Sequence, residues 1–288
     1  MAYMKKRTCI TFVNDGKYSA CGLVDLLRGI VSLYHYCKNN NIIFKIEYTY
    51  PFLLTKYLKP NKYNWLPSDI SCIDKNRGCT VNLLCEGKDG EDILHRNILD
   101  AITANNLGNN INIYTNTTCY DKDFSSDFKE LFTPTKYLSE LIEKNLSLLS
   151  SDYNSVSCRF CATLGDFPDI LSPLKEQQQL ILINKFKQKV KELASISKES
   201  FNKLLVTSDS MKFISAISDL DNVQIIPGSI VHSRNSMVAD GIDKVFVEFF
   251  LISLAKRVYS ITSDGLFPGA YSYYASKLGN VEYIRLKV

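Results

Sequence analysis

The segment SVSCRFCATLGDFPD, residues 155–169, contains residue types suited to two different kinds of chemistry. Cys158 and Cys161 form a C-x-x-C pair, which is typical of metal sites and redox sites. Arg159, Gly165 and Asp166 suit an anion instead, because an arginine presents a planar fork of N–H donors to a diphosphate. The residues around each set decide between the two interpretations.

The cysteine pair lacks the surroundings that either use requires. A structural zinc site takes four ligands, usually from two such pairs, and none of the other cysteines forms a second C-x-x-C. A thioredoxin-like pair stands at a helix N-terminus, whereas glycine and proline follow this pair before any predicted helix. We interpret both cysteines as small packing residues at a strand end. A redox or zinc protein therefore ranks last among the hypotheses.

Strand and helix patterns alternate along the chain and place Arg159 at a strand end. Alternating β-branched residues over 7–14 predict a first strand, and apolar residues at helical spacing from Leu23 predict the helix that follows. A second series of strands and helices begins at residue 154. Repeated strand–loop–helix units are typical of doubly wound parallel sheets. The sequence therefore predicts an α/β protein with two Rossmann-like domains, residues 1–150 and 151–288, and a cleft between them.

Polar residues occur in four of the loops that lead from a predicted strand into a helix. Ligands of open parallel sheets bind at these carboxyl ends of the strands. Besides Arg159 and Asp166, the loops carry Gly22 and Asp25 in the first series, Ser208 and Asp209 in VTSDS, and Thr262, Ser263, Asp264, Gly265 and Leu266 in SITSDGLFP. Each loop alone also fits a helix cap or a tight turn, and Asp25 is placed to pair with Arg28. Four such loops at successive strand ends favour an anionic ligand.

The histidines offer one further candidate. His35 and His95 fall on predicted helices, where a structural or surface role is expected, whereas His232 follows a predicted strand of the second series. No nucleophile elbow or Ser-His-Asp spacing accompanies them. His232 is therefore the histidine that we expect at the site.

Composition excludes several classes of partner and location. The formal net charge is +4 and no block of lysine and arginine is present, so polymeric nucleic acid is a poor ligand for this chain. The longest apolar run, 244–256, is too short to span a membrane and contains Glu248. The basic start lacks a long apolar region and a cleavage site, so no signal peptide is predicted. Nine cysteines without an export signal indicate reduced thiols in the cytoplasm.

The order of the motifs resembles that of the fucosyltransferase-like glycosyltransferases, the group containing the nodulation α-1,6-fucosyltransferases and the protein O-fucosyltransferases. The family has a G-x-G-[DN] loop, then H-x-R-x-G-D, a strand ending in S-D or T-D, and a late S-x-F-S-like loop. The corresponding segments here are CGLVDLLRGI, VSCRFCATLGDF, LLVTSDS and TSDGLFPGAYSYYASKLGN. The resemblance implies a GT-B fold, in which two Rossmann-like domains face each other across a cleft. It also implies an acceptor bound mainly by the N-terminal domain and a GDP-sugar bound mainly by the C-terminal domain.

The resemblance also implies roles for individual residues. Arg159 matches the arginine that holds the β-phosphate and stabilises the departing nucleotide, where charge develops as the glycosidic bond breaks. Ser157 stands where the family has histidine, which puts that residue's ribose or phosphate contact in doubt. Gly165 and Asp166 match the family G-D only after an insertion.

Further roles carry over from the same motifs. Asp209 would face the nucleoside, and Asp240 or Asp243 would contact the base. Phosphates would be lined by Ser263, Asp264, Gly265 and Leu266 through backbone N–H and hydroxyl groups. Asp25 is the candidate general base, although an oxocarbenium-like mechanism needs no strong base.

We predict an inverting, metal-independent glycosyltransferase that moves fucose from GDP-fucose to a glycan acceptor in bacterial surface polysaccharide synthesis. The nucleotide sugar is a substrate, and no cofactor is expected. Two alternatives stay open: a transferase that uses another nucleotide sugar, and a non-catalytic nucleotide- or sugar-binding protein on the same scaffold. The Ser157 departure and the lack of an obvious base keep the second alternative open. Attachment to the inner membrane face and the oligomeric state are also left open.

Overall fold

The computed structural model describes residues 8–18, 22–67, 79–83, 95–100, 103, 110–116, 121–149, 151–166, 171–199, 203–231, 238–267 and 269–288. The chain divides into two compact units, Met1–Thr135 and Lys136–Val288. The sequence-based boundary at residue 150 assigns the helix Lys136–Leu146 to the first domain, whereas this helix packs against a helix of the second unit, Ala239–Leu254.

The first unit is built on a parallel sheet of four strands, as its alternating pattern predicts. The strands are β1 (Cys9–Asn14), β2 (Ile43–Tyr48), β4 (Cys79–Leu83) and β5 (Asn110–Thr115), in the order β2-β1-β5-β4. Two short strands, β3 (Leu58–Pro60) and β6 (Phe132–Pro134), pair antiparallel beside it. The helices are α1 (Leu23–Asn39), α2 (Leu54–Tyr57) and α3 (Phe124–Leu131), and residues 95–100 are also helical.

The second unit holds a parallel sheet of five strands. These are β7 (Asn154–Cys158), β8 (Leu204–Ser208), β9 (Val223–Gln224), β10 (Arg257–Thr262) and β11 (Glu282–Lys287), in the order β11-β10-β7-β8-β9. The helices are α4 (Lys136–Leu146), α5 (Glu176–Glu199), α6 (Met211–Ile217), α7 (Ala239–Leu254) and α8 (Ala270–Gly279). This strand order is the Rossmann order 3-2-1-4-5.

The connections between the strands of this sheet form a crevice at the carboxyl ends of β7 and β10. From β7 the chain passes through α5 to β8, and from β10 it passes through α8 to β11 on the other side. Because crossovers between parallel strands are right-handed, α5 and α8 lie on opposite faces of the sheet. The adjacent carboxyl ends of β7 and β10 therefore form a topological switch point, where Rossmann sheets bind ligands.

Apolar residues at alternate strand positions and at helical spacing build the core on the α5 face. Val156 and Cys158 of β7 point to this face and pack with Phe186 and Val190 of α5 and Phe213 of α6. The polar stripe of α5 faces solvent, which accounts for the charged residues between its buried positions. Among the described residues, no helix combines the length and the apolar character that crossing a membrane requires.

Gly29 lets α1 approach the backbone of β5, which gives a stability test for the first unit. A Cβ added at Gly29 would lie 2.6 Å from the Thr115 carbonyl oxygen, and backbone at a sheet end has little room to move. We expect Gly29→Ala to lower the free energy of unfolding by about 1–3 kcal/mol despite the higher helix propensity of alanine. Urea unfolding followed by circular dichroism measures this.

Gly241 in α7 provides the matched control. A Cβ there would meet the two methyl groups of Val231 at 2.4 and 2.7 Å, which belong to a side chain outside the helices and strands and not to the backbone of a sheet. Gly241→Ala should therefore destabilise less than Gly29→Ala. Equal losses for the two variants would show that the backbone contact at Thr115 is not what limits position 29.

Candidate functional site

Arg159 lies at the switch point of the second sheet, as its position after a predicted strand indicates. It follows β7 directly, and its side chain runs along Gly269, the N-cap of α8. The Cδ of Arg159 lies 3.1 Å and its Nη1 lies 3.7 Å from the place that a Cβ of Gly269 would occupy. A glycine at this position lets the guanidinium approach the first turn of the helix. An arginine beside a helix N-terminus concentrates positive charge and N–H donors, which suits a phosphate.

The loop after β10 forms a tight turn at the same edge of the sheet. The Leu266 N–H donates to the Ser263 carbonyl (3.1 Å), and Gly265 has a φ of +80°. The Thr262 hydroxyl donates to the Leu266 carbonyl (3.4 Å), and the Ser263 hydroxyl donates to the Val288 carbonyl (3.0 Å). Both hydroxyl protons and the Leu266 N–H are thus used in hydrogen bonds within the protein. The side chain of Leu266 packs against the core.

Asp264 is the exposed member of that turn. Its carboxylate lies 2.6 Å from the Lys287 Nζ, and this ion pair holds the pKa of Asp264 below its usual value. Both side chains are more than half exposed, so the pair contributes little to stability.

Asp209 lies next to Arg159 and holds the loop that contains it. Its Oδ1 accepts from the Phe160 N–H (2.8 Å) and its Oδ2 accepts from the Cys161 N–H (2.9 Å). Burial raises the pKa of the Asp209 carboxyl, and these two N–H groups and the charge of Arg159 oppose the rise. The sequence-based role for Asp209 is a nucleoside contact, whereas in the structure both of its oxygens accept from the Arg159 loop.

Asp166 makes the converse contact, from the loop after β7 to the segment after β8. Its Oδ2 accepts from the Ser210 hydroxyl (2.9 Å) and from the Lys212 N–H (2.6 Å), at the start of α6. A carboxylate at a helix N-terminus is favourable for the exposed N–H groups there. Ser208 contributes to the same segment, since its hydroxyl oxygen accepts from the Ser210 N–H (3.2 Å).

Ser157 and Cys158 end β7 on opposite faces of the sheet. The Ser157 hydroxyl lies 2.8 Å from the Thr207 hydroxyl of β8, so it serves a cross-strand hydrogen bond. Cys158 and Cys161 are both buried and neither forms a disulfide bond, and burial raises the pKa of the Cys158 thiol. A reactive thiolate is therefore disfavoured at Cys158, in agreement with a packing role.

The remaining candidates belong to other elements of the chain. Gly22 is the N-cap of α1, and the Asp25 carboxylate lies 2.9 Å from Arg28 in the first turns of that helix, which confirms the expected ion pair. Asp243 on α7 accepts from the Tyr137 hydroxyl of α4, and Asp240 accepts from the N–H and the hydroxyl of Ser229. His232 lies outside the described residues.

The second sheet therefore brings together, at one edge, Ser157, Arg159, Asp166, Ser208, Asp209, Thr262, Ser263, Asp264, Gly265 and Leu266. Sequence reasoning missed Gly269, which lies against the guanidinium of Arg159. A glycine directly before a predicted helix was the signal that could have identified it, since such a position starts a helix without a side chain.

No protein-family model matches the chain, and no curated protein matches its sequence. Solved structures do match: the chain has the GT-B fold found in fucosyltransferases, which confirms the predicted fold class.

Three solved proteins illustrate the likeness. Fucosyltransferase NodZ from Bradyrhizobium is 12% identical, with a TM-score of 0.55 over 95% of this chain and 93% of that chain. FUT1 from Arabidopsis thaliana, in complex with GDP, is 14% identical, with a TM-score of 0.56 over 97% of this chain and 70% of that chain. POFUT1 in complex with GDP-fucose is 10% identical, with a TM-score of 0.52 over 97% and 98%. Similarity at this level establishes the fold, and the reaction must be argued from the site.

Proposed function

We propose that the chain is a glycosyltransferase that takes a nucleotide sugar, GDP-fucose, as its donor and a glycan hydroxyl as its acceptor. One observation carries the proposal: Arg159 extends along the N-cap of α8 at the switch point of a Rossmann sheet. The fold supports it, because structures of NodZ and POFUT1 that this chain resembles were determined with GDP-fucose.

The chemistry of sugar transfer accounts for this arrangement. When the bond between the anomeric carbon and the donor phosphate breaks, negative charge develops on the β-phosphate oxygen. Arg159 and the N–H groups that begin α8 would stabilise that charge more strongly than they stabilise the bound donor, which lowers the barrier. A guanidinium and a helix N-terminus supply positive charge at the leaving group, and this supports a metal-independent reaction.

An inverting course needs the acceptor hydroxyl to attack the sugar from the face opposite the phosphate. Asp25, the residue proposed as general base, is held in an ion pair with Arg28 that orients its carboxylate. A cytoplasmic enzyme that acts in the synthesis of a bacterial surface polysaccharide is consistent with a charge of +4 and reduced cysteines.

A thermal-shift experiment with GDP, UDP, CMP and dTDP tests the proposal. A nucleotide present at a hundred times its Kd stabilises the folded chain by about 2.7 kcal/mol, so we expect GDP to raise Tm by roughly 5 °C or more. The other three nucleotides should shift Tm less. A Tm that no nucleotide changes would contradict a nucleotide-sugar enzyme.

A non-catalytic nucleotide-binding protein is the second candidate, favoured by the hydrogen bond that engages Ser157 with Thr207. Such a protein would bind GDP in the thermal-shift experiment but release no GDP from GDP-fucose. Time-dependent GDP release from GDP-fucose, with and without a glycan acceptor, separates the two.

A further inference from the structure

The loops that follow β7 and β8 hold each other through two carboxylates, which we name the aspartate clasp: Asp166 and Asp209. Asp209 comes from the β8 side and accepts two N–H groups of the β7 loop, while Asp166 comes from the β7 side and accepts at the start of α6. Hydrogen bonds to a charged acceptor are about twice as strong as neutral ones. The two loops are therefore fixed against each other from both directions.

The clasp fills a position that a ligand anion could otherwise take. The chain turns in a left-handed conformation at Cys161 and Ala162, with φ values of +50° and +75°, and the N–H groups of Phe160 and Cys161 converge on the Asp209 carboxylate. Such concave N–H groups bind phosphates in many proteins. The Asp209 carboxylate occupies these two N–H groups, so this part of the backbone binds the protein itself and not a ligand.

The residues on either side of Arg159 are fixed. Cys158 pairs in register with Ser208 of β8 and Ile261 of β10. Phe160 is 1% exposed, with its ring centroid 4.6 Å from that of Phe186 and 4.9 Å from that of Phe213, and its N–H is held by Asp209. The direction in which Arg159 leaves the sheet is thus determined by the strand on one side and by Asp209 on the other.

We infer that Asp209 is a positioning residue, which holds Arg159 against the donor diphosphate and does not itself contact the nucleoside. This inference rests on the proposed function. It assigns the acidic residue at the end of β8 a role that acts only through Arg159, so that the effect of removing Asp209 depends on whether Arg159 is present.

A double-mutant cycle measures that dependence. Asp209→Asn keeps the shape of the side chain but replaces one acceptor oxygen with an NH₂ group, which then faces one of the two N–H donors. We expect it to weaken GDP binding about tenfold, the equivalent of one hydrogen bond to a charged group. In the Arg159→Ala background the same change should weaken GDP binding about twofold or less, because the group that Asp209 positions is gone. Isothermal titration with GDP gives the four Kd values.

Asp219→Asn is the matched control, since it removes an exposed carboxylate of the same unit that pairs with Lys187 at 2.9 Å. Its Kd for GDP should equal that of the unmodified protein. If circular dichroism shows that Asp209→Asn does not fold, Asp209→Glu replaces it in the cycle, since it keeps the charge but moves the carboxylate one methylene away from the two N–H groups, and the same dependence on Arg159 is expected.

The outcomes separate the two proposals. Equal losses from Asp209→Asn with and without Arg159 would indicate a direct nucleoside contact and overturn the positioning role, while the nucleotide-sugar function would stand. An unchanged Kd in Asp209→Asn would likewise overturn only the positioning role. If the unmodified protein binds no GDP, the proposed function fails, and the positioning role fails with it.

Discussion

Replacing Arg159 with alanine is expected to lower the rate of GDP release from GDP-fucose by about 10²–10³-fold, the usual loss when one donor to a developing negative charge is removed. The affinity for GDP should fall by about tenfold or more, since hydrogen bonds to charged groups contribute about 1.5–3 kcal/mol each. The physical reason is the position of the guanidinium beside the N-cap of α8 at the switch point. Steady-state GDP release and isothermal titration measure the two effects.

Two further variants make this result specific. Arg159→Lys keeps the charge but loses the planar fork of donors, so its rate should lie between those of the unmodified protein and Arg159→Ala. Arg257→Ala removes an exposed arginine paired with Glu282 at the amino-terminal end of β10, the opposite edge of the same sheet, and should change neither measurement. An Arg159→Ala protein that loses stability but keeps full GDP affinity would show that Arg159 serves a structural salt bridge instead.

The largest expected effect on stability comes from a buried ion pair on α7. The Lys244 Nζ lies 2.9 Å from the Glu248 Oε1, and the two side chains are 5% and 9% exposed. The Lys244 ammonium also donates to the Ile226 carbonyl, and burial raises the pKa of Glu248 in spite of the lysine. Lys244→Met leaves a buried carboxylate without its cation, so we expect it to lower the free energy of unfolding by about 3–5 kcal/mol. Urea unfolding at pH 7 measures the loss.

The double variant Lys244→Met/Glu248→Leu is the control for that prediction. Removing both charges also removes both desolvation penalties, so the double variant should recover most of the loss, to within about 1–2 kcal/mol of the unmodified protein. Lowering the pH should also reduce the loss in Lys244→Met. A raised carboxyl pKa means that the folded chain binds a proton more readily than the unfolded chain, so its stability decreases as pH rises. A double variant as unstable as the single one would contradict this account.

Much of the fold could be predicted because its signals are local. The strands at β7, β8, β10 and β11 and the helices α5, α7 and α8 appear where periodicity predicts them. The antiparallel pair of β3 and β6 could not be predicted, since strands of three residues are too short to show an alternating pattern. The apolar segment NVQIIPG is predicted as a strand but forms only a two-residue strand, and the Ile226 carbonyl beyond it accepts from Lys244 of α7 instead of from a neighbouring strand.

In the candidate site, too, the features with local signals could be predicted from the sequence, and those that depend on strand order could not. The position of Arg159 at a strand end follows from the residues on either side of it, and the structure confirms that position. The contacts of Asp166, Asp209 and Gly269 depend on which strands are neighbours, and the order β10-β7-β8 cannot be read from one sequence. Motif resemblance identified both aspartates as part of the site, but only the pairing of β7 with β8 shows that their carboxylates bind each other's loops.

The aspartate clasp determines when the entropy of the Arg159 loop is lost. A flexible loop that closed on a diphosphate would lose its conformational freedom at the moment of binding, and the affinity would fall by that amount. Because Asp209 and Asp166 hold residues 160–166 within the folded chain, the entropy of this part of the loop is lost during folding, before any ligand arrives. On the proposed function, the guanidinium of Arg159 would then meet the donor in a preorganised dipolar environment, in which little reorganisation is needed as charge moves to the phosphate.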